Sequence, residues 1–134
     1  MKNQIRKLVK EKRNSMSLED AQKKSILAQE VFLSSELYSN SNTLMLYMPL
    51  GNETDTAIIM SKAFVDSKRV VLPVTDMENV DIIPYIVSPD TDFSMGSYSI
   101  TEPQNGILTE CSSIDTVIVP GIAFDPNGGR IGFG

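Results

Sequence analysis

Two loops and one terminal segment hold the residues whose types and spacing could do chemistry. The stretch Ala123-Phe124-Asp125-Pro126-Asn127-Gly128-Gly129-Arg130-Ile131-Gly132-Phe133-Gly134 places four glycines in seven residues around one arginine. Glycines let backbone N–H groups close on phosphate oxygens, and an arginine adds a forked, permanent positive charge. Phosphate binding is one reading of this loop, and an ordinary glycine-rich turn is the other. It lacks the Gly-Lys-Ser/Thr ending of a Walker loop, and its glycine order does not fit the dinucleotide pattern. The second loop, Pro49-Leu50-Gly51-Asn52-Glu53-Thr54-Asp55-Thr56, carries two carboxylates directly after an apolar run. Asp55 suits a helix cap as well as a ligand contact. Glu53 sits in the turn itself, where it could accept hydrogen bonds from a ligand amine or amide.

The terminal segment is basic. Residues 1–24 carry eight Lys/Arg against three Asp/Glu, whereas the remainder carries four against fourteen, within a net charge of −5. Such a segment could serve an anionic ligand, pair with the acidic body, or form a solvated helix face. The acidic body speaks against extended nucleic-acid binding, which needs a broad basic surface. With no histidine and a single cysteine, Cys111, the chain offers neither a histidine-based triad nor a zinc site nor an internal disulfide. Cys111 lies in a polar stretch and reads as an incidental thiol.

The elements that must position these residues follow from periodicity and breakers. The 134 residues, 41% hydrophobic, have the size and composition of one domain. Ile5, Leu8 and Val9 share a helical stripe and predict a basic amphipathic first helix. Ser17, three residues before Asp20, predicts the cap of a second helix over about 18–33, with Leu27, Ala28, Val31 and Phe32 repeating at helical spacing. Leu44–Met48, ended by Pro49 and Gly51, reads as a strand buried on both faces. A helix follows, with Ile58, Ile59, Ala63 and Phe64 inward, and then the strand Val70–Leu72, closed by Pro73. Residues 44–73 are thus one β-α-β unit with parallel strands, which sets the α/β class. Residues 81–87 predict another strand, at an edge or a bulge because of Pro84. Thr116–Val119 is the last strand, ended by Pro120-Gly121. In open α/β sheets ligands gather at the carboxyl ends of strands, which is where both loops fall. The apolar runs are too short to cross a bilayer and no apolar signal segment follows the basic N-terminus, so a cytoplasmic protein with no membrane contact is expected.

The segment Val119-Pro120-Gly121-Ile122-Ala123-Phe124-Asp125, followed by Gly129-Arg130-Ile131-Gly132-Phe133-Gly134, resembles the signature of the 5-formyltetrahydrofolate cyclo-ligases, also called 5,10-methenyltetrahydrofolate synthetases. Lys2-Asn3-Gln4-Ile5-Arg6, Asn52-Glu53-Thr54-Asp55-Thr56 and Gly96-Ser97-Tyr98-Ser99-Ile100-Thr101-Glu102-Pro103 agree with the family in order and spacing. The resemblance implies a three-layer α/β/α sandwich with a mostly parallel sheet, incomplete at the C-terminus. It implies a ligase that uses ATP and Mg²⁺ to convert 5-formyltetrahydrofolate to 5,10-methenyltetrahydrofolate through a phosphorylated formyl group. Carried over by resemblance, Lys2, Asn3, Gln4, Ile5, Arg6, Gly129, Arg130, Ile131, Gly132, Phe133 and Gly134 contact ATP, with Arg130 as the catalytic residue. Met48, Glu53 and Tyr98 contact the folate, and the metal ligands are not indicated. In the family the glycine loop continues into a Gly-Tyr-Tyr-Asp stretch, a helix and further strands. A chain ending at Gly134 is therefore expected to turn over poorly and to self-associate through an exposed sheet edge. The alternatives are a non-catalytic folate- or nucleotide-binding remnant and another α/β enzyme acting on sugar phosphates.

Overall fold

The computed structural model describes residues 1–95, 101–104 and 106–132. Helix α1 covers Lys2–Asn14 and α2 covers Leu18–Leu33, where Ser17 Oγ accepts the Asp20 N–H at 3.1 Å and acids Glu19 and Asp20 occupy the first turn. A short α3, Glu36–Ser39, leads into strand β1, Thr43–Met45. Helix α4, Ala57–Val65, connects β1 to β2, Arg69–Asp76, and the two strands pair in parallel, as the β-α-β reading requires. Strand β3, Asp81–Val87, runs antiparallel to β2. Beyond it come the hairpin β4–β5 (Phe93–Met95 and Thr101–Pro103), then β6, Ile107–Leu108, and β7, Thr116–Val117. A last hairpin pairs β8, Ala123–Phe124, with β9, Arg130–Ile131.

The main sheet has the order β6-β3-β2-β1-β7. It is mixed: parallel across β2-β1-β7 and antiparallel across β2-β3-β6. Val70, Val71 and Leu72 of β2 are fully buried. Since neighbouring side chains on a strand point to opposite faces, both faces of β2 are covered. Val70 and Leu72 share one core with Leu44, Leu46, Tyr38, Val87 and the α4 residues Ile59 and Ala63. The side chain of Glu102 on β5 ties the small hairpin to β2, accepting the Thr75 N–H at 2.6 Å.

Several local expectations are revised. Strand β1 is shorter than 44–48, although Leu46 still donates to Val71 at 2.9 Å. Strand β2 runs through Pro73, and β3 lies inside the sheet rather than at its edge. Pro73 and Pro84 face each other on one rung, so the two residues lacking an N–H coincide, and β6 pairs only with Tyr85 and Ile86. The helix faces also differ. On α2, Leu27 and Val31 are exposed, and the inward stripe is Ala21, Ser25, Gln29, Phe32 and Leu33. On α1, Leu8 is exposed, and Arg6 and Arg13 join Ile5 and Val9 on the half-buried face. Ile58 of α4 is turned outward. Apolar periodicity finds a helix but cannot tell which stripe faces the body when polar side chains there have built-in partners.

Candidate functional site

Beyond the carboxyl ends of β1 and β7 the backbone leaves the sheet in two irregular segments, and α1 lies across them. Arg6 Nε donates to Gly132 O at 2.8 Å and its Nη1 to Asn3 Oδ1 at 2.7 Å. Near the other end of the helix, Asn52 Nδ2 donates to Asn14 Oδ1 at 2.9 Å. One helix thus holds both candidate loops. At 1.5 Å rise per residue, Arg6 and Asn14 lie about 12 Å apart along its axis.

The glycine-arginine segment is a hairpin with a built-in turn. Asp125 Oδ1 accepts the N–H groups of Asn127 and Gly129, both at 2.8 Å, and Gly128 takes φ of +89°. A side chain at Gly129 would collide with the Asp125 carboxylate. Two glycines are therefore required by the turn itself, the first for its left-handed backbone and the second for close approach. The Gly129 N–H is committed to Asp125, so it binds phosphate only if that bond yields. Arg130 lies exposed on the hairpin and its Nη1 donates to Pro120 O at 2.7 Å.

In the first loop Glu53 has a structural partner, since its Oε1 accepts the Leu50 N–H at 2.8 Å and closes the turn. Asp55 is not the N-cap of α4, which is Thr56, but stands one residue before it, and its Oδ1 accepts the N–H groups of Thr56 and Ala57 at 2.7 and 3.0 Å. Tyr47 donates its hydroxyl to Thr54 O at 2.6 Å. Burial, with the Glu53 and Asp55 charges, pushes the Tyr47 phenol up to about 12. It is therefore a neutral donor across the physiological range.

Two cavities open beside these loops. The larger, about 660 Å³, lies between α2 and the 49–55 loop. The smaller, about 310 Å³, lies between that loop and Val119–Ile122 with Phe124. Arg13, Asn52, Glu53 and Thr54 wall both. Of the residues expected to act, Arg6 and Gly132 are brought into contact, Glu53 walls the smaller cavity, and Arg130 does not line it but bonds to the carbonyl of its wall residue Pro120. Lys2, Asn3 and Gln4 are exposed on α1, and Ile5 and Ile131 are half-buried. Met48 packs against the hydrophobic core instead of walling either cavity. Tyr98, Phe133 and Gly134 lie outside the described residues. The sequence reading passed over Arg13, Asn52 and Tyr47. For Arg13 a signal existed: it is seven residues from Arg6, two helical turns along the same face.

Among the described residues no three His, Cys, Asp or Glu side chains gather to hold a metal ion, and no helix is long and apolar enough to cross a membrane. An α/β domain with a divided cleft beyond its strand ends, walled by Arg13 and the turn carboxylate Glu53, has the form of a domain that binds small ligands there. The comparisons with known proteins narrow that class. The sequence model of the 5-formyltetrahydrofolate cyclo-ligase family matches residues 1–134. The solved 5,10-methenyltetrahydrofolate synthetase of Aquifex aeolicus is similar at 31% identity and a TM-score of 0.85, over 99% of this chain and 67% of that one. A synthetase structure from Mycoplasma pneumoniae shares the fold at 23% identity and a TM-score of 0.70, over 99% of this chain and 71% of that one. The mouse 5-formyltetrahydrofolate cyclo-ligase is 23% identical over 97% of this chain and 68% of its own length. The chain belongs to the 5-formyltetrahydrofolate cyclo-ligase family.

Proposed function

We propose that the chain, as one domain, binds ATP and 5-formyltetrahydrofolate in the divided cleft and converts them to 5,10-methenyltetrahydrofolate, ADP and phosphate. The supporting observation is the Arg6–Gly132 hydrogen bond, which joins the basic helix to the glycine-arginine hairpin beside the cavity walled by Glu53. Arg6, Arg130 and Lys2 neutralise the triphosphate, and the backbone N–H groups of the glycine-arginine segment contact it. Glu53 holds the folate near its reacting nitrogen, and Tyr98 contacts the folate as well.

The formyl oxygen attacks the γ-phosphorus. A P–O bond forms there, and the bond to the β,γ-bridging oxygen breaks, with its electron pair leaving on ADP. N10 then attacks the activated formyl carbon and loses its proton. That N10–C bond closes the five-membered ring; the bond from this carbon to the phosphorylated oxygen then breaks, phosphate departs with the pair and takes up the proton, and the methenyl C=N bond forms. What a protein supplies to such a sequence is alignment of two ligands and neutralisation of phosphate charge, which needs no histidine. Mg²⁺ belongs with the nucleotide, because it is commonly bound through phosphates, water and one or two carboxylates. Among the described residues no three acidic side chains gather around a place for it.

The setting is cytoplasmic and the partners are these two small molecules rather than nucleic acid. The exposed apolar residues of edge strand β6, Ile107 and Leu108, favour self-association at high concentration, which sedimentation would detect. The central test is calorimetric titration with ATP and 5-formyltetrahydrofolate, separately and together, followed by the absorbance of methenyltetrahydrofolate. Binding of both with product formation is expected. Binding without product would identify a non-catalytic binding protein, and absence of folate binding would favour a sugar-phosphate enzyme.

A further inference from the structure

We infer that Arg13 is a ligand-binding residue of this cleft, its guanidinium placed where the nucleotide's terminal phosphate meets the formyl group. The inference rests on the proposed reaction and extends it to a residue outside the N-terminal motif and the glycine hairpin. Arg13 is half-buried on the inner face of α1, with its Nε shielded from solvent. It belongs to the wall of both cavities. In the smaller one it is the only Lys or Arg among the described residues that line it, set with Glu53, Asn52 and Tyr47 against the Val119–Ile122 segment. That segment's Pro120 carbonyl anchors Arg130, so a second guanidinium stands behind the same wall.

The chemistry calls for a cation at this point. As the phosphoryl group leaves the bridging oxygen of ADP and bonds to the formyl oxygen, its equatorial oxygens keep their negative charge midway between the two ligands. Arg6, bonded from α1 to Gly132 O, and Arg130, on the hairpin, address the nucleotide side. Arg13 lies seven residues along α1 from Arg6, about 10 Å, which is the scale of a triphosphate. Its fork can engage two oxygens at once, which a lysine cannot reproduce. The Asn14–Asn52 hydrogen bond beside it fixes the helix to the Glu53 loop, so the guanidinium and the carboxylate keep their relative positions.

The test compares the full chain with its Arg13→Gln, Arg13→Lys and Lys12→Gln variants. Lys12 is the exposed neighbour and reproduces the change in net charge without the position. Calorimetry measures ATP and 5-formyltetrahydrofolate affinity, and single-turnover absorbance measures the chemical step. Arg13→Gln is expected to weaken ATP binding about tenfold or more, the scale of one lost charged hydrogen bond, and to slow the chemical step further. Arg13→Lys should recover part of the affinity and little of the rate, and Lys12→Gln should match the parent. Parental affinities and rate in folded Arg13→Gln would overturn the inference while leaving the proposed reaction intact. Equal losses in the Gln and Lys variants together with a lowered unfolding temperature would also overturn it, as the mark of a purely structural arginine. A parent chain that binds neither ligand would remove the proposed reaction itself, and this inference with it.

Discussion

At the scale of single residues, several side chains near the cleft have two tasks that only substitution can separate. Glu53 closes its own turn through the Leu50 N–H, and in the proposed reaction it also holds the folate. Glutamine keeps an acceptor oxygen for Leu50 but loses the charge, whereas alanine loses both. Glu53→Gln is therefore expected to leave denaturant stability within about 0.5 kcal/mol of the parent and to weaken 5-formyltetrahydrofolate binding by roughly tenfold to a hundredfold. Glu53→Ala should lose the same affinity and about 0.5–1.5 kcal/mol of stability as well. Urea unfolding beside calorimetry checks both, and unchanged folate affinity in Glu53→Gln would remove the carboxylate from the site. The glycines illustrate the same doubling. Their abundance around Arg130 invited a phosphate reading, yet Gly128 and Gly129 are already required by the Asp125 turn, and this was not legible without seeing where the aspartate points.

At the scale of elements, α2 and α4 are joined by a contact that neither helix announces. Gln29, 2% exposed, accepts the N–H groups of Ile58 and Ile59 at 2.9 and 3.3 Å through Oε1, and its Nε2 donates to Ser25 O. A side chain from one helix thus satisfies the first-turn amides of another, where Asp55 covers the neighbouring ones. Gln29→Leu fits the buried position by size but strands those amides, and it should cost about 1–3 kcal/mol in urea unfolding. A variant as stable as the parent would show that water or a shift of α4 replaces the cap. This contact explains why the inward face of α2 was misread. A glutamine on the buried stripe breaks the apolar period, and Leu27 and Val31, exposed on the other side, mimic it. The helix boundaries were legible from Ser17 and Asp20, because a cap acts through neighbours in sequence.

At the scale of the whole molecule, the parallel pairing of β1 with β7 is held at its entrance by a carboxylate distant in sequence. Asp115, just before β7, accepts the N–H of Thr43 at 3.0 Å and of Asn42 at 2.8 Å, and these bonds hold its carboxyl below the usual carboxylate range. A carboxylate whose folded pKa is depressed adds stability at pH values above its unfolded pKa, roughly 3.9, and that contribution is lost as pH falls through the lower folded value. Unfolding temperature measured from about pH 6 down to about pH 2 should therefore fall less steeply in Asp115→Asn than in the parent. Coincident acid limbs would mean that the strand entrance is held by other bonds. The amino-acid sequence alone determined the α/β class, the parallel β-α-β unit of residues 44–73, the second helix and the two loops, because capping, breakers and short apolar runs act over a few residues. The tertiary structure alone decided that β3 lies inside a mixed sheet, that Gln29 rather than Leu27 faces inward, and that α1 spans both loops and brings Arg13 between them. Those outcomes depend on pairings separated by tens of residues, such as Arg6 with Gly132 or Asp115 with Thr43. Local sequence cannot choose such partners, since their free energy exists only once the chain has closed around them.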